Sequence, residues 1–141
     1  MDPVAFFWRM QRGELPLPPA FLTLGGSIVT VDAKHGTVET VFHGKPEFAN
    51  PAGHIQGGFL SAMLDDTMGS ALAAQLIAGQ FAPTLSQVTQ FLRPAQPGSI
   101  SGLGRVLRRG SKICHLAGEL SQHGRLIATA TAVVSIHTME P

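Results

Sequence analysis

The sequence predicts an α+β domain: a six-stranded antiparallel sheet wrapped around one long central helix, with a short N-terminal helix ahead of it. Three observations carry that expectation. Residues Ile55 to Ala78 lack proline, are rich in Ala, Leu and Met, and hold only two charges, Asp65 and Asp66. A helix that is small or apolar nearly all round belongs in a core. Two segments of strand character precede it and four follow, each bounded by turn residues. With 141 residues the chain has room for one domain, so sheet and helix must share one core.

Taken in order, residues 3–12 read as an amphipathic helix with Val4, Phe7 and Trp8 on one side. Leu15-Pro16-Leu17-Pro18-Pro19 breaks it and runs extended. Residues 1–20 thus form an N-terminal helix and extended segment, and residues 21–141 the sheet-and-helix domain. Thr23 to Asp32 favours a strand, weakened at its start by Gly25-Gly26, and Lys34-His35-Gly36 turns it into a second strand, Thr37 to His43. Asn50-Pro51-Ala52-Gly53 marks a loop before the long helix, for which Gly79 offers a C-terminal stop. Beyond Pro83, runs at 84–91, 100–107, 113–120 and 126–137 describe a four-stranded antiparallel meander.

Composition narrows the function. A formal charge of +1 gives no reason to expect nucleic acid as a partner. Charged residues make up only 13% of the chain, so part of the surface is expected to be covered in a homo-oligomer. The single cysteine, Cys114, excludes an intrachain disulfide and a multi-cysteine zinc site, and its strand setting points to a buried thiol. The first ten residues lack the features of a signal peptide, and two aspartates near the middle of the long helix argue against a membrane span. A cytoplasmic location is the default expectation.

Chemistry concentrates between Asn50 and Gly69. Gly57-Gly58 at a helix start permits close approach of a ligand to free backbone N–H groups and to the positive end of the helix dipole. Such a site can stabilise an oxyanion, although the same glycines could simply allow tight packing. Asp65, eight residues further on, is a carboxylate on an apolar helix, expected to be buried and costly unless paired or used. Gly58, Ser61, Ala62 and Gly69 lie at helical spacings from it and form a small-residue groove. Eight residues of helix span about 12 Å, whereas groups acting on one carbonyl must lie within about 3.5 Å of it. If both Gly57 and Asp65 act, two antiparallel copies of the helix must supply them. Asp66 points about 100° away, toward a supporting or interface role.

The pattern Asn50-x-x-Gly53-x-x-Gln56-Gly57-Gly58, with Asp65 nine positions after Gln56, resembles the signature of hotdog-fold thioesterases. The nearest group is the phenylacetate-degradation type, related to 4-hydroxybenzoyl-CoA thioesterases. The one departure is Gln56, which stands where the family has histidine. The likeness runs more loosely through Thr84–Phe91 and Arg93-Pro94-Ala95 and omits about the first twenty residues. It implies a hotdog fold and hydrolysis of an acyl-CoA to free acid and coenzyme A, with no cofactor or metal beyond the substrate itself. It also implies a dimer or a dimer of dimers and roles for particular residues. Asp65 becomes general base or nucleophile, the Gly57 N–H polarises the thioester carbonyl, Asn50 helps hold it, and Thr84 orients water. Gln56 can donate a hydrogen bond there but cannot transfer a proton. Gly58, Phe59, Ser61 and Arg93 are expected to contact substrate, and Arg108, Arg109 and Lys112 to meet the coenzyme A phosphates, unless they form only a solvated hairpin tip. Phe59, Met63, Met68, Phe6, Phe7 and Trp8 are the apolar candidates for an acyl pocket. Two other readings remain: a hotdog hydratase or dehydratase, which would need His54 for proton transfer, and a non-catalytic acyl-CoA-binding protein.

Overall fold

A computed structural model describes residues 1–139. Its elements are α1 (Phe6–Gln11), α2 (Pro19–Thr23), β1 (Ser27–Asp32), β2 (Thr37–Gly44), α3 (Gly57–Ala73), β3 (Gln80–Phe81), β4 (Thr84–Phe91), β5 (Gly98–Arg109), β6 (Ile113–Gln122), β7 (Arg125–Ser135) and β8 (His137–Thr138). Six strands form one antiparallel sheet in the order β1-β2-β5-β6-β7-β4, and β3 pairs with β8 apart from it. Helix α3 packs across the inner face, mainly against β5 and β6.

Backbone proximity sets that packing. A Cβ at Gly104 of β5 would stand 2.5 Å from the Thr67 carbonyl oxygen, and one at Gly118 of β6 2.7 Å from Met68 Cγ. Only glycine lets the strands meet the helix this closely. Thr67 is fully buried, and its hydroxyl donates to the Met63 carbonyl (2.8 Å) while also meeting the Thr40 hydroxyl (2.9 Å). Phe42, Met63, Leu64, Met68, Leu72, Ile100, Leu116 and Leu120 fill the core around it. Met63 and Met68 therefore pack the interior and line no acyl pocket. Cys114 is buried, as its strand setting predicted.

The sheet departs from the expected meander. β5, β6 and β7 are joined by consecutive hairpins, but β4 pairs with β7 rather than β5 and forms an edge. Residues 92–97, with Pro94 and Pro97, cannot make a tight hairpin and cross the end of the sheet instead. They are pinned there by the Ile55 N–H on the Ala95 carbonyl (2.8 Å) and the Gln96 N–H on Gln122 Oε1 (2.8 Å).

Element ends also differ. α3 runs from Gly57 to Ala73, not from Ile55 to Ala78. At its start Ile55 bridges to Ala49, and at its end the Gln75 N–H bonds the Leu72 carbonyl while the Asp2 carboxylate accepts from the Ala78 N–H (2.8 Å). Gly79, at φ 84°, turns the chain into β3 rather than capping the helix. β1 starts at Ser27, because Gly25 at φ 64° leaves the extended region, although its carbonyl still accepts the His43 N–H in line with the ladder. The segment expected to run extended is interrupted by α2, which opens on Pro19, a residue suited to a first helical turn. In the N-terminal segment Phe7 is buried, Val4 is exposed, and the Trp8 indole N–H donates to the Ala74 carbonyl (3.0 Å).

Candidate active site

Gly57 opens α3 after Gln56, whose extended backbone (ψ 140°) serves as the N-cap without a side-chain bond. The Gly57 N–H has no acceptor among the described residues, the ordinary state of a first-turn donor. It borders a cavity of about 360 Å³ lined by Asn50, His54, Leu60, Phe91, Arg93 and their neighbours. A Cβ at Gly57 would meet the Phe91 ring at 3.0 Å, so β4 closes one side of this cavity. Asn50 Oδ1 accepts the Ala52 and His54 N–H groups (3.0 and 3.1 Å), which fixes its amide and leaves Nδ2 to donate elsewhere. The Arg93 guanidinium donates to the Leu126 carbonyl (2.8 Å).

Asp65 lines a different cavity of about 380 Å³, with Ser61, Ala62, Thr84, Gln87 and Thr89. The expected burial of Asp65 does not occur within one protomer: its side of α3 faces outward and the residue is exposed. A hydrogen bond from Thr84 Oγ1 to Asp65 Oδ1 (2.8 Å) joins α3 to β4. Sequence reasoning missed Gln87, which donates to the Ser61 carbonyl (3.0 Å) and to Thr89 Oγ1 (3.2 Å). Because a carbonyl can only accept, the Gln87 amide orientation is settled. The available signal was strand alternation, which places Gln87 and Thr89 on the face toward the helix.

The neighbouring Asp66 is the half-buried carboxylate. Burial first, and the charge of Asp65 second, raise its pKa from the ordinary 3.8 to about 6. Its Oδ2 is buried without a hydrogen-bond partner among the described residues, facing Phe7, Met10, Leu17, Phe21 and Ser70.

Gly57 and Asp65 thus serve separate cavities, separated by about 12 Å of helix. Of the remaining predicted residues, Gln56 and Gly58 are exposed at the helix start, and Ser61 borders the Asp65 cavity. Phe59 stacks on Phe48 (centroids 4.1 Å apart) and lines neither cavity. Arg108 and Lys112 lie exposed at the β5–β6 turn, and Arg109 there donates to the Gln75 carbonyl (2.7 Å). None of the three reaches the Gly57 or Asp65 cavity of its own chain.

A helix wrapped by six antiparallel strands, with an exposed carboxylate on its outer face, is the architecture of a hotdog-fold thioesterase. Residues 45–135 match the family model of the acyl-CoA thioesterase N-terminal domain, and the chain belongs to that family. It is a thioesterase, and its family acts on acyl-CoA. No curated protein sequence matches the chain. A candidate thioesterase from Ralstonia eutropha JMP134, described as phenylacetic acid degradation-related, is 46% identical, with a TM-score of 0.91 over 92% of this chain and 98% of that one. A thioesterase family protein from Silicibacter pomeroyi (23% identity, TM-score 0.82, 94% and 98% covered) shares the fold. So does the E. coli PaaI protein of the phenylacetic acid degradation operon (18%, 0.80, 97% and 96%). No helix among the described residues is long and apolar enough to cross a membrane.

Proposed function

We propose that the protein hydrolyses an acyl-CoA thioester at a site shared by two copies of the chain, with Asp65 as the base. The observation that carries this reading is the outward face on which Asp65 stands. Gly58 has open space where a side chain would begin, and Ala62 is exposed one turn further on. Beside this stripe runs β4, an edge strand with Leu85, Val88 and Phe91 each more than half exposed. A long apolar edge next to a small-residue helix face calls for a partner, and a second copy supplies a matching edge and helix. Antiparallel pairing about Ser61 sets Gly57 of the partner subunit against Asp65.

In that arrangement the thioester carbonyl oxygen accepts the partner's Gly57 N–H, strengthened by the positive end of the helix dipole. The Asn50 amide Nδ2 supports it, and Gln56 lies at the same helix start. Thr84 holds Asp65 Oδ1, leaving Oδ2 for a water held among the hydroxyl and amide groups of the Asp65 cavity. Water attacks the carbonyl carbon and passes a proton to Asp65. The tetrahedral intermediate then collapses, the C–S bond breaks, and the coenzyme A sulfur leaves with that proton.

Thiol release from a panel of acyl-CoAs tests the reading. The wild type is expected to turn over, Asp65→Asn to lose about a thousandfold in kcat, and His54→Ala to retain most activity. Full activity in Asp65→Asn sinks the role of Asp65. Dependence on His54 favours hydratase-like proton transfer, and binding without turnover a non-catalytic protein. In a single turnover, an acyl–Asp65 anhydride that can be trapped, or ¹⁸O from water appearing in Asp65, identifies a nucleophile, whereas a general base gives neither.

A further inference from the structure

We infer that the thioester's acyl group is apolar and of medium size, seated in a cavity one helical turn beyond Asp65 that the N-terminal helix completes. The inference rests on the shared site proposed above. The cavity holds about 270 Å³ and is walled by Phe6, Phe7, Leu76, Ile77 and Phe81, with Gly69 also in its lining. Gly69 lies four residues after Asp65, hence about 6 Å along the helix and nearly on the same face. A Cβ at Gly69 meets nothing within 4 Å, so nothing blocks passage along that face.

The dimer geometry gives the cavity its direction. With Gly57 of the partner subunit set against Asp65, the partner's helix begins there, and the next turns of α3 at Gly69 and Ala73 are left uncovered by it. A thioester carbonyl held between Gly57 and Asp65 can therefore extend its acyl chain over Gly69 into this cavity. Phe6 and Phe7 lie outside the residues that match the family model, so this wall belongs to the chain's own N-terminal segment.

Chemistry of the walls defines the occupant. Phe6, Ile77 and Phe81 are exposed by 57%, 56% and 43%, an apolar rim that an apolar ligand would cover. No charged side chain lines the cavity, and its one side-chain amide is Gln80, whose Oε1 already accepts the Ile77 N–H (3.1 Å). A carboxylate at the far end of the acyl group would find no cation there, only the Gln80 Nε2 among apolar side chains, too little to offset the loss of its hydration. A dry cavity of about 150 Å³ accommodates benzene, so this one takes an acyl group of about six to ten carbons.

Kinetics along a series from acetyl-CoA to octanoyl-CoA test this. For the wild type, kcat/KM should rise roughly threefold to fourfold per added methylene until the cavity is full. Gly69→Leu, which has room at its Cβ and favours the helix, should lose at least tenfold on octanoyl-CoA and under threefold on acetyl-CoA. Phe6→Ser, a change at an exposed position, should shift the preference the same way. Equal losses on both substrates, or no chain-length preference in the wild type, overturn the inference. Calorimetric binding of octanoyl-CoA against free coenzyme A is read in parallel in an Asp65→Asn background, which leaves the ligand intact, so that the inference survives a failure of the hydrolytic reading. Octanoyl-CoA binding at least tenfold tighter than coenzyme A, with the gain abolished by Gly69→Leu, supports the cavity even without turnover. Equal binding overturns it.

Discussion

Thr84 Oγ1 donates to Asp65 Oδ1 at 2.8 Å, tying the first residue of the edge strand β4 to the middle of α3. The bond restrains the carboxylate and leaves one oxygen free to take a proton. Thr84→Val keeps the shape and removes the donor. We expect kcat to fall about tenfold with KM nearly unchanged, the loss of a group that orients the base. A rise in KM alone would assign Thr84 to substrate binding instead.

Gln87 stands beside this pair, its amide N–H groups spent on the Ser61 carbonyl and the Thr89 hydroxyl. Its Oε1 has no protein donor among the described residues, and Gln87 borders the cavity of Asp65. It is suited to position the attacking water. Gln87→Leu should lower kcat about tenfold at constant KM, whereas a purely structural role would lower Tm and leave both constants alone.

Local pattern made much of this legible. The small-residue helix, the Gly57-Gly58 opening and the strand alternation each follow from a short stretch of chain, and all three elements formed. What was not legible depends on distant contacts. The place of β4 beside β7 is decided by a loop anchored to Ile55 and Gln122, and the helix end by Asp2, which is 76 residues from Ala78. Asp65 was expected to be buried and is exposed, for a similar reason. Periodicity places Asp65 and Asp66 on different faces, but only the packing of α1 and α2 decides which face is covered.

That covered aspartate gives a pH prediction. Asp66 titrates near 6 in the folded chain against an ordinary 3.8, so folding favours its protonated form. The associated stability is fully present below about pH 4 and is lost as pH rises through 6. Partial solvent access reduces the loss to about 1–2 kcal/mol. Asp66→Asn should therefore match the wild type near pH 4 and exceed it in Tm at pH 8. A constant difference between the two proteins at both pH values would show that Asp66 carries no such linkage.

A shared site makes a quantitative prediction for mixed oligomers. Gly57→Pro deletes the N–H while respecting the backbone, because proline is tolerated at the first helical position. The preceding Gln56 already has the extended conformation that proline demands (φ −62°, ψ 140°). The new ring displaces Phe91 by a few tenths of an ångström, since a Cβ at Gly57 would meet its ring at 3.0 Å. Loss of one oxyanion donor should lower kcat by about a hundredfold or more. Asp65→Asn homodimers should also be nearly inactive. When the two variants are unfolded together and refolded at equal concentration, half the dimers are mixed. Each mixed dimer joins the intact Asp65 of one chain to the intact Gly57 of the other at one of its two sites. About a quarter of wild-type activity should then return. If each chain instead carried its own complete site, every site in the mixture would hold one defect, and mixing would restore nothing.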